Sequence, residues 1–322
     1  MTVIASIDSQ SILKATNLLK EGRLVAMPTE TVYGLGADAT NSRAVAAIYA
    51  AKGRPSFNPL IAHVSDLTQA LKEAEFSETA LKLAEKFWPG PLTIVAPISF
   101  QCSVCDLARA GLDSVALRMP KDLTAQRLIK ALGRPIAAPS ANRSGHISSV
   151  TAEHVASDLL GKIDLILDGG PTKLGLESTI ISFCQATPII LRSGIIAREE
   201  IEEFLNQRLT SPVKDKVIAP GMTLAHYAPL ATLRLNAKDI AEDEAAIDFG
   251  AQFNQFRKTN LWMRDLSATQ NLIEAASNLF TFLREADKSG TKKIAVASIP
   301  RHGLGEAIND RLMRASMPNN IA

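Results

Sequence analysis

The stretch Arg23–Val64, RLVAMPTETVYGLGADATNSRAVAAIYAAKGRPSFNPLIAHV, switches between two structural periods, and that switching decides the fold class. RLVAMPT is a short continuous apolar run that reads as a buried strand delivering Pro28 to a loop. In SRAVAAIYAAKG, Val45, Ile48 and Tyr49 recur at helical spacing, Asn41 or Ser42 offers an N-cap, and Gly53 offers a stop. LIAHV then reads as the next strand. Strand, helix and strand joined by short loops predict an α/β sheet with helices laid against it.

The pattern continues on both sides. A helix is expected over residues 8–22, with Ser9 as N-cap, an apolar stripe of Ile12, Ala15, Leu18 and Leu19, and Gly22 as stop. Downstream, helices over ETALKLAEKFW, LTAQRLIKALG and AEHVASDLLG alternate with strands at LTIVAPI, SVALRMP and PIAAPSA. The closely spaced strands LILDGG, STIISF and PIILRSG suggest some antiparallel pairing, hence a mixed sheet. Residues 205–233, with Pro212, Pro220, Gly221 and Pro229, break the rhythm and read as an ordered linker long enough for a functional role. TNLWMRDL, a helix over NLIEAASNLFTFLREADKSG, a strand KKIAVASI and a helix through GEAINDRLMRAS then make a second, smaller α/β domain. The expected division is 1–204, 205–233 and 234–322.

Composition narrows the function classes. The chain has 322 residues, 46% of them hydrophobic and 21% charged, and a net charge of +2. From Arg234 onward there are 12 Lys+Arg against 11 Asp+Glu, leaving 23 against 22 before it, so neither part has the basic excess of a dedicated nucleic-acid binder. No apolar run approaches the length of a membrane span, and MTVIASIDSQ lacks a secretory leader's basic start and apolar stretch, so a cytoplasmic protein with no membrane partner is expected. Cys102, Cys105 and Cys184 do not make a disulfide framework, and the CxxC of Cys102 and Cys105 has no further soft ligands nearby.

Several short segments carry chemistry. Lys52-Gly53-Arg54 gives a movable point charge and a planar fork for oxyanions, and prolines 55 and 59, on either side of Ser-Phe-Asn, stiffen the loop that follows. The same residues also suit a solvated turn complementing a helix C-terminus. APSANRSGHISS gathers Ser140, Asn142, Ser144 and Ser148 after a strand, without the GxSxG context a nucleophilic serine needs. Arg118 and Arg192 end predicted strands, where ligands of open α/β sheets commonly bind, and with Arg54 they make an anion pocket plausible.

In order and spacing, PTETVYGLGADAT, KGRPSFNPLIAHV, WPGPLTIV, ALRMP, APSANRSG, LDGG, ESTI and LRSG resemble the threonylcarbamoyl-AMP synthase family, the YrdC-like proteins. Lys52-x-Arg54 and Ser140-x-Asn142 look like that family's K-x-R and S-x-N signature. PGMTLAHYAP and GLGEAINDRLMRA look like its long form. The resemblance implies a YrdC-like twisted mixed sheet with flanking helices, followed by a Rossmann-like C-terminal domain. It implies that L-threonine, bicarbonate and ATP give threonylcarbamoyl-AMP and pyrophosphate, a nucleotidyltransferase reaction, and that a tRNA-modifying transferase complex receives the product. Carried over residue by residue, Thr31, His63, Arg118 and Ser178 would bind L-threonine. Lys52, Arg54, Asn58, Ser114, Ser140, Asn142, Ser148, Arg192 and Tyr227 would hold ATP, with Lys52 and Arg54 as the catalytic cations. Mg2+ would come with ATP, with no protein metal ligand named and no tightly bound cofactor. Ala138 stands where the family often has Thr. A weaker alternative is an RNA-binding module of the same fold.

Overall fold

The computed structural model describes residues 2–211, 227–256 and 262–317; most of the expected linker, 212–226, lies outside the described residues. The first part runs β1 (Val3–Ser6), α1 (Ser9–Lys20), β2 (Val25–Met27), β3 (Gly34–Asp38), α2 (Ser42–Lys52), β4 (Ile61–His63), α3 (Leu67–Glu73), α4 (Glu78–Phe87), β5 (Leu92–Pro97) and α5 (Asp106–Arg109). It continues with β6 (Ser114–Arg118), α6 (Leu123–Leu132), β7 (Ile136–Ala137), α7 (Ala152–Leu159), β8 (Leu165–Asp168), β9 (Thr179–Ser182), β10 (Ile189–Arg192) and α8 (Arg198–Leu205). Its strands form one mixed sheet in the order β1-β8-β2-β3-β7-β4-β6-β5-β9-β10. Pairing is parallel between β4 and β6 and between β5 and β9, and antiparallel at β3–β7, β4–β7, β5–β6 and β9–β10.

Residues 227–317 add β11 (Thr232–Arg234), β12 (Glu244–Asp248), a short 3-10 turn, β13 (Met263–Asp265), α9 (Leu272–Lys288), β14 (Lys293–Val296) and α10 (Leu304–Ala315). Their sheet is wholly parallel, in the order β11-β14-β12-β13.

Local chemistry explains the boundaries. The α1 cap is Asp8, one residue earlier than expected, because its carboxylate takes the Ser11 amide while the Ser11 hydroxyl answers the Asp8 amide. Asn41 caps α2 by accepting from Arg43 and Ala44, and Gly53 ends it at φ 61°, a left-handed conformation that favours glycine. Strand β3 is a finding against expectation, since GLGAD read as loop. A Cβ on Gly36 would lie 3.1 Å from Ile136 Cγ2 and 3.2 Å from the Val25 carbonyl oxygen, so close approach of neighbouring strands requires glycine inside this strand. Strands β1, β11 and β12 and helices α3, α5 and α8 also add to the expected elements.

Alternation along the central strands separates two faces. Ala62, Leu92, Ile94, Leu117 and Ile181 enter the main core with Val45, Ile48 and Leu83 from the helices. Ile61, Val95, Ala116 and Ile180 form a small cluster apart from that core. The core of the C-terminal domain includes Val32, Ile147, Val150 and Leu176 of the first part beside Tyr227, Leu279 and Phe280.

Candidate active site

A single cavity brings together most of the expected residues. Thr31, Arg54, His63, Arg118, Ser140, Ser178, Arg192 and Tyr227 line it, with Thr29, Ile61, Ala138 and Glu177. Ile61 and His63, two apart on β4, project to the same side, so the cavity lies over a face of the sheet and not only at its strand ends. Arg118 and Arg192 close β6 and β10, the strand ends expected for them, and both reach the cavity from there.

Lys52 and Arg54 flank the left-handed Gly53 and turn inward, although the same spacing also suited a solvated turn. The Lys52 ammonium donates to the carbonyls of Ser140, at 2.6 Å, and of Asn142. Arg54 Nε donates to the Asn58 carbonyl at 3.2 Å and Nη2 to the Pro59 carbonyl at 2.9 Å, so the Pro55–Pro59 loop folds around its own arginine. Burial, then the neighbouring Arg54 charge, push the Lys52 ammonium well below its ordinary value, and burial brings Arg54 down to about 10. Both cations therefore hydrogen-bond to backbone carbonyls, an arrangement that leaves local positive charge for an anion to neutralise.

On β4 and β6, His63 and Arg118 are register partners. His63 is buried, with no hydrogen-bond partner at Nδ1 among the described residues, and burial followed by the Arg118 charge lowers it to about 3. It is a neutral imidazole at physiological pH. Arg118 donates to the Gly90 carbonyl at 3.2 Å, Thr31 Oγ1 at 2.9 Å and Glu30 Oε1 at 2.6 Å. Burial opposes the Glu30 charge, but Arg118 and backbone amides, that of Lys121 among them, hold this carboxyl below its ordinary value, and the Asp122 amide also donates to it. Ser178, just ahead of β9, shares a 2.7 Å hydroxyl contact with Thr93 and accepts from Arg192.

Other expected residues stand behind this lining. Ser148 donates to Glu177 Oε1 at 2.6 Å, and Asn142 Nδ2 donates to the carbonyls of Arg143 and His146 at 2.8 Å each. Asn58 Oδ1 and Asn142 Oδ1 are buried without a hydrogen-bond partner among the described residues. Tyr227 is buried at φ 65°, its ring stacked on Phe280 with centroids 5.5 Å apart. Ser114 opens β6 at the end opposite Arg118, roughly 13 Å of strand away, and like Lys52, Asn58, Asn142 and Ser148 is not among the residues that line the cavity. Glu30 and Glu177 were missed as functional residues although PTETVYG and ESTI contain them; Arg311, described below, had no local signal.

Among the described residues no group of three or more His, Cys, Asp or Glu could hold a metal ion. The two unpartnered amide oxygens, on Asn58 and Asn142, are hard donors of the kind Mg2+ takes. No described helix is long and apolar enough to cross a membrane.

Comparisons with known proteins place the chain in a family. A Sua5/YciO/YrdC family model, described as telomere recombination, matches residues 17–194. A model described as threonylcarbamoyl-AMP synthase, C-terminal domain, matches residues 196–317. The threonylcarbamoyl-AMP synthase of Pyrococcus abyssi is 40% identical, covering 98% of this chain and 98% of that protein. That of Bacillus subtilis is 40% identical, covering 97% and 94%. The crystal structure of P. abyssi Sua5 complexed with L-threonine aligns with a TM-score of 0.89 and 38% identity, covering 98% of this chain and 97% of that one. With both family models and relatives matched over nearly the whole length, the chain belongs to the threonylcarbamoyl-AMP synthase family.

Proposed function

We propose that this protein is an adenylyl-transferring synthase that converts L-threonine, bicarbonate and ATP into threonylcarbamoyl-AMP, pyrophosphate and water. The observation that carries the reading is the pair of buried cations, Lys52 and Arg54, bonded to carbonyls beside a cavity that also holds Arg118, Arg192 and a neutral His63. In this reading threonine and bicarbonate form a carbamate. A carbamate oxygen bonds to the α-phosphorus of ATP as the bond to the β-phosphate bridging oxygen breaks, and pyrophosphate carries the electron pair away.

Such a reaction needs alignment and charge neutralisation more than an enzyme nucleophile. Arg118 Nη1, steadied by Thr31, is the group on which the threonine carboxylate would sit, and the His63 Nδ1 lone pair would accept from its amino or hydroxyl group. Lys52, Arg54 and Arg192 would face the phosphates, with Ser140, Asn142, Ser148 and Tyr227 shaping the nucleotide's place. Asn58 and Asn142 would steady Mg2+ arriving with ATP, which supplies charge neutralisation on the phosphates. The product would pass to the proteins that modify tRNA.

Purified protein with ATP, bicarbonate and L-threonine should release pyrophosphate and accumulate the adenylate. Release that does not depend on threonine would overturn the assignment.

A further inference from the structure

Glu177 is the one acidic side chain among the described residues lining the cavity. It is buried one residue before Ser178, in the wall shared with Arg54, Arg118 and Arg192. A carboxylate there opposes the entry of any triphosphate, and low polarity strengthens the repulsion. Both its oxygens are nevertheless occupied, from two different domains. Ser148 donates to Oε1 at 2.6 Å, and Arg311 of α10 donates through Nε to Oε2 at 3.0 Å.

Arg311 is fully buried. Its Nη2 donates to the Ser193 carbonyl at 3.0 Å, its Nη1 to Asp310 Oδ2 at 2.6 Å, and its guanidinium lies 5.2 Å from the Tyr227 ring centre. Burial works against the Glu177 charge, but Arg311, Arg192 and the Ser148 hydroxyl keep it ionised, with its pKa below the ordinary value. A second arginine of the C-terminal domain, Arg284 on α9, donates to the backbone of Ile147 and Ser148 and to Asp158, fixing the segment that presents Ser148.

We propose that Arg311 is a positioning residue for the adenylylation step, supplying from the C-terminal domain the counter-charge that keeps the cavity-facing Glu177 carboxylate from opposing the phosphates of ATP. The proposal rests on the synthase reading of the cavity. It gives the C-terminal domain a definite part in that chemistry, because the first part of the chain alone would present Glu177 without this partner. In an Arg311→Met protein, Arg192 would remain as a cation acting on Glu177, setting the carboxylate against the nucleotide for the same charge.

The test uses the full chain and measures threonine-dependent pyrophosphate release at varied ATP and varied threonine. Arg311→Met should raise KM for ATP at least roughly tenfold, the scale of losing one charge-assisted contact, and leave KM for threonine nearly unchanged. Adding Glu177→Gln, which keeps an acceptor for Ser148 and removes the charge, should recover most of that loss. A purely structural role for Arg311 predicts no recovery, because the contacts to Ser193 and Tyr227 stay missing in the double variant. A folded Arg311→Met protein with an unchanged KM for ATP, or a double variant no better than the single one, would overturn the proposal. Should Arg311→Met not fold, Arg311→Lys keeps the cation without the fork. A near-normal KM for ATP in that variant supports the charge role, and a large rise overturns it. Wild-type protein assayed alongside separates the two levels: if it releases no threonine-dependent pyrophosphate, the synthase reading fails and takes this proposal with it.

Discussion

The buried Arg118–Glu30 pair gives a sharp stability prediction through Glu30→Gln. Glu30 accepts from Arg118 Nη2 at 2.6 Å and from the amides of Lys121 and Asp122 at 3.0 and 3.2 Å. Glutamine has one acceptor oxygen: turned to the two amides it points its NH2 group at Arg118, and turned to Arg118 it strands the amides. Breaking a buried pair by removing one partner costs about 3–5 kcal/mol. The lower end applies here, because Arg118 keeps Thr31 and the Gly90 carbonyl. A loss of about 3 kcal/mol corresponds to a fall in Tm of roughly 6–12 °C at about 2–4 °C per kcal/mol. Differential scanning calorimetry at neutral pH reads this directly. Arg23→Ala serves as control, because Arg23 pairs with Asp164 at the surface, where solvent screens the pair, and should leave Tm close to that of wild type. If Glu30→Gln melts within about 2 °C of wild type, Glu30 does not hold Arg118 as described and the argument fails.

Three further outcomes are expected. Arg54→Ala should lower turnover at least roughly 100-fold with the fold intact, the scale of one transition-state charge contact, and near-normal pyrophosphate release would leave the loop a purely structural feature. The His63 ring is held neutral down to about 3 in the folded chain, whereas an unfolded histidine takes up a proton near 6.5. Its contribution is therefore present above the unfolded value and lost as pH falls from there toward 3, so Tm should drop less between pH 7 and 5 in His63→Asn; equal slopes would refute this. Chelation by EDTA should stop threonine-dependent pyrophosphate release and added Mg2+ should restore it, whereas full activity in chelator would show that the Mg2+ assignment is mistaken.

How much of this was legible in the sequence depended on the range of the interaction. Caps and stops such as Asn41 and Gly53 act within one turn and mark α2 closely. Strand β3 was hidden because its glycines have low strand propensity and are required only by Val25 and Ile136, which the fold brings from either side. Resemblance supplied site residues as single positions without their partners, so Arg118 was expected to wait for a carboxylate and is found already holding Glu30. Arg311 sits on the buried side of an ordinary amphipathic helix, and its partner Glu177 is far away along the chain.

The C-terminal domain's core takes in Val32, Ile147, Val150 and Leu176, which arrive on the very segments that carry Thr31, Ser148 and Glu177. The two sheets are thus separate in topology but share one apolar seam. Expressed without its second half, the chain would present those four side chains to water as a sticky surface, inviting aggregation. Grafting either half onto another protein would mean carrying these positions along, and the inheritable unit is the seam together with both halves.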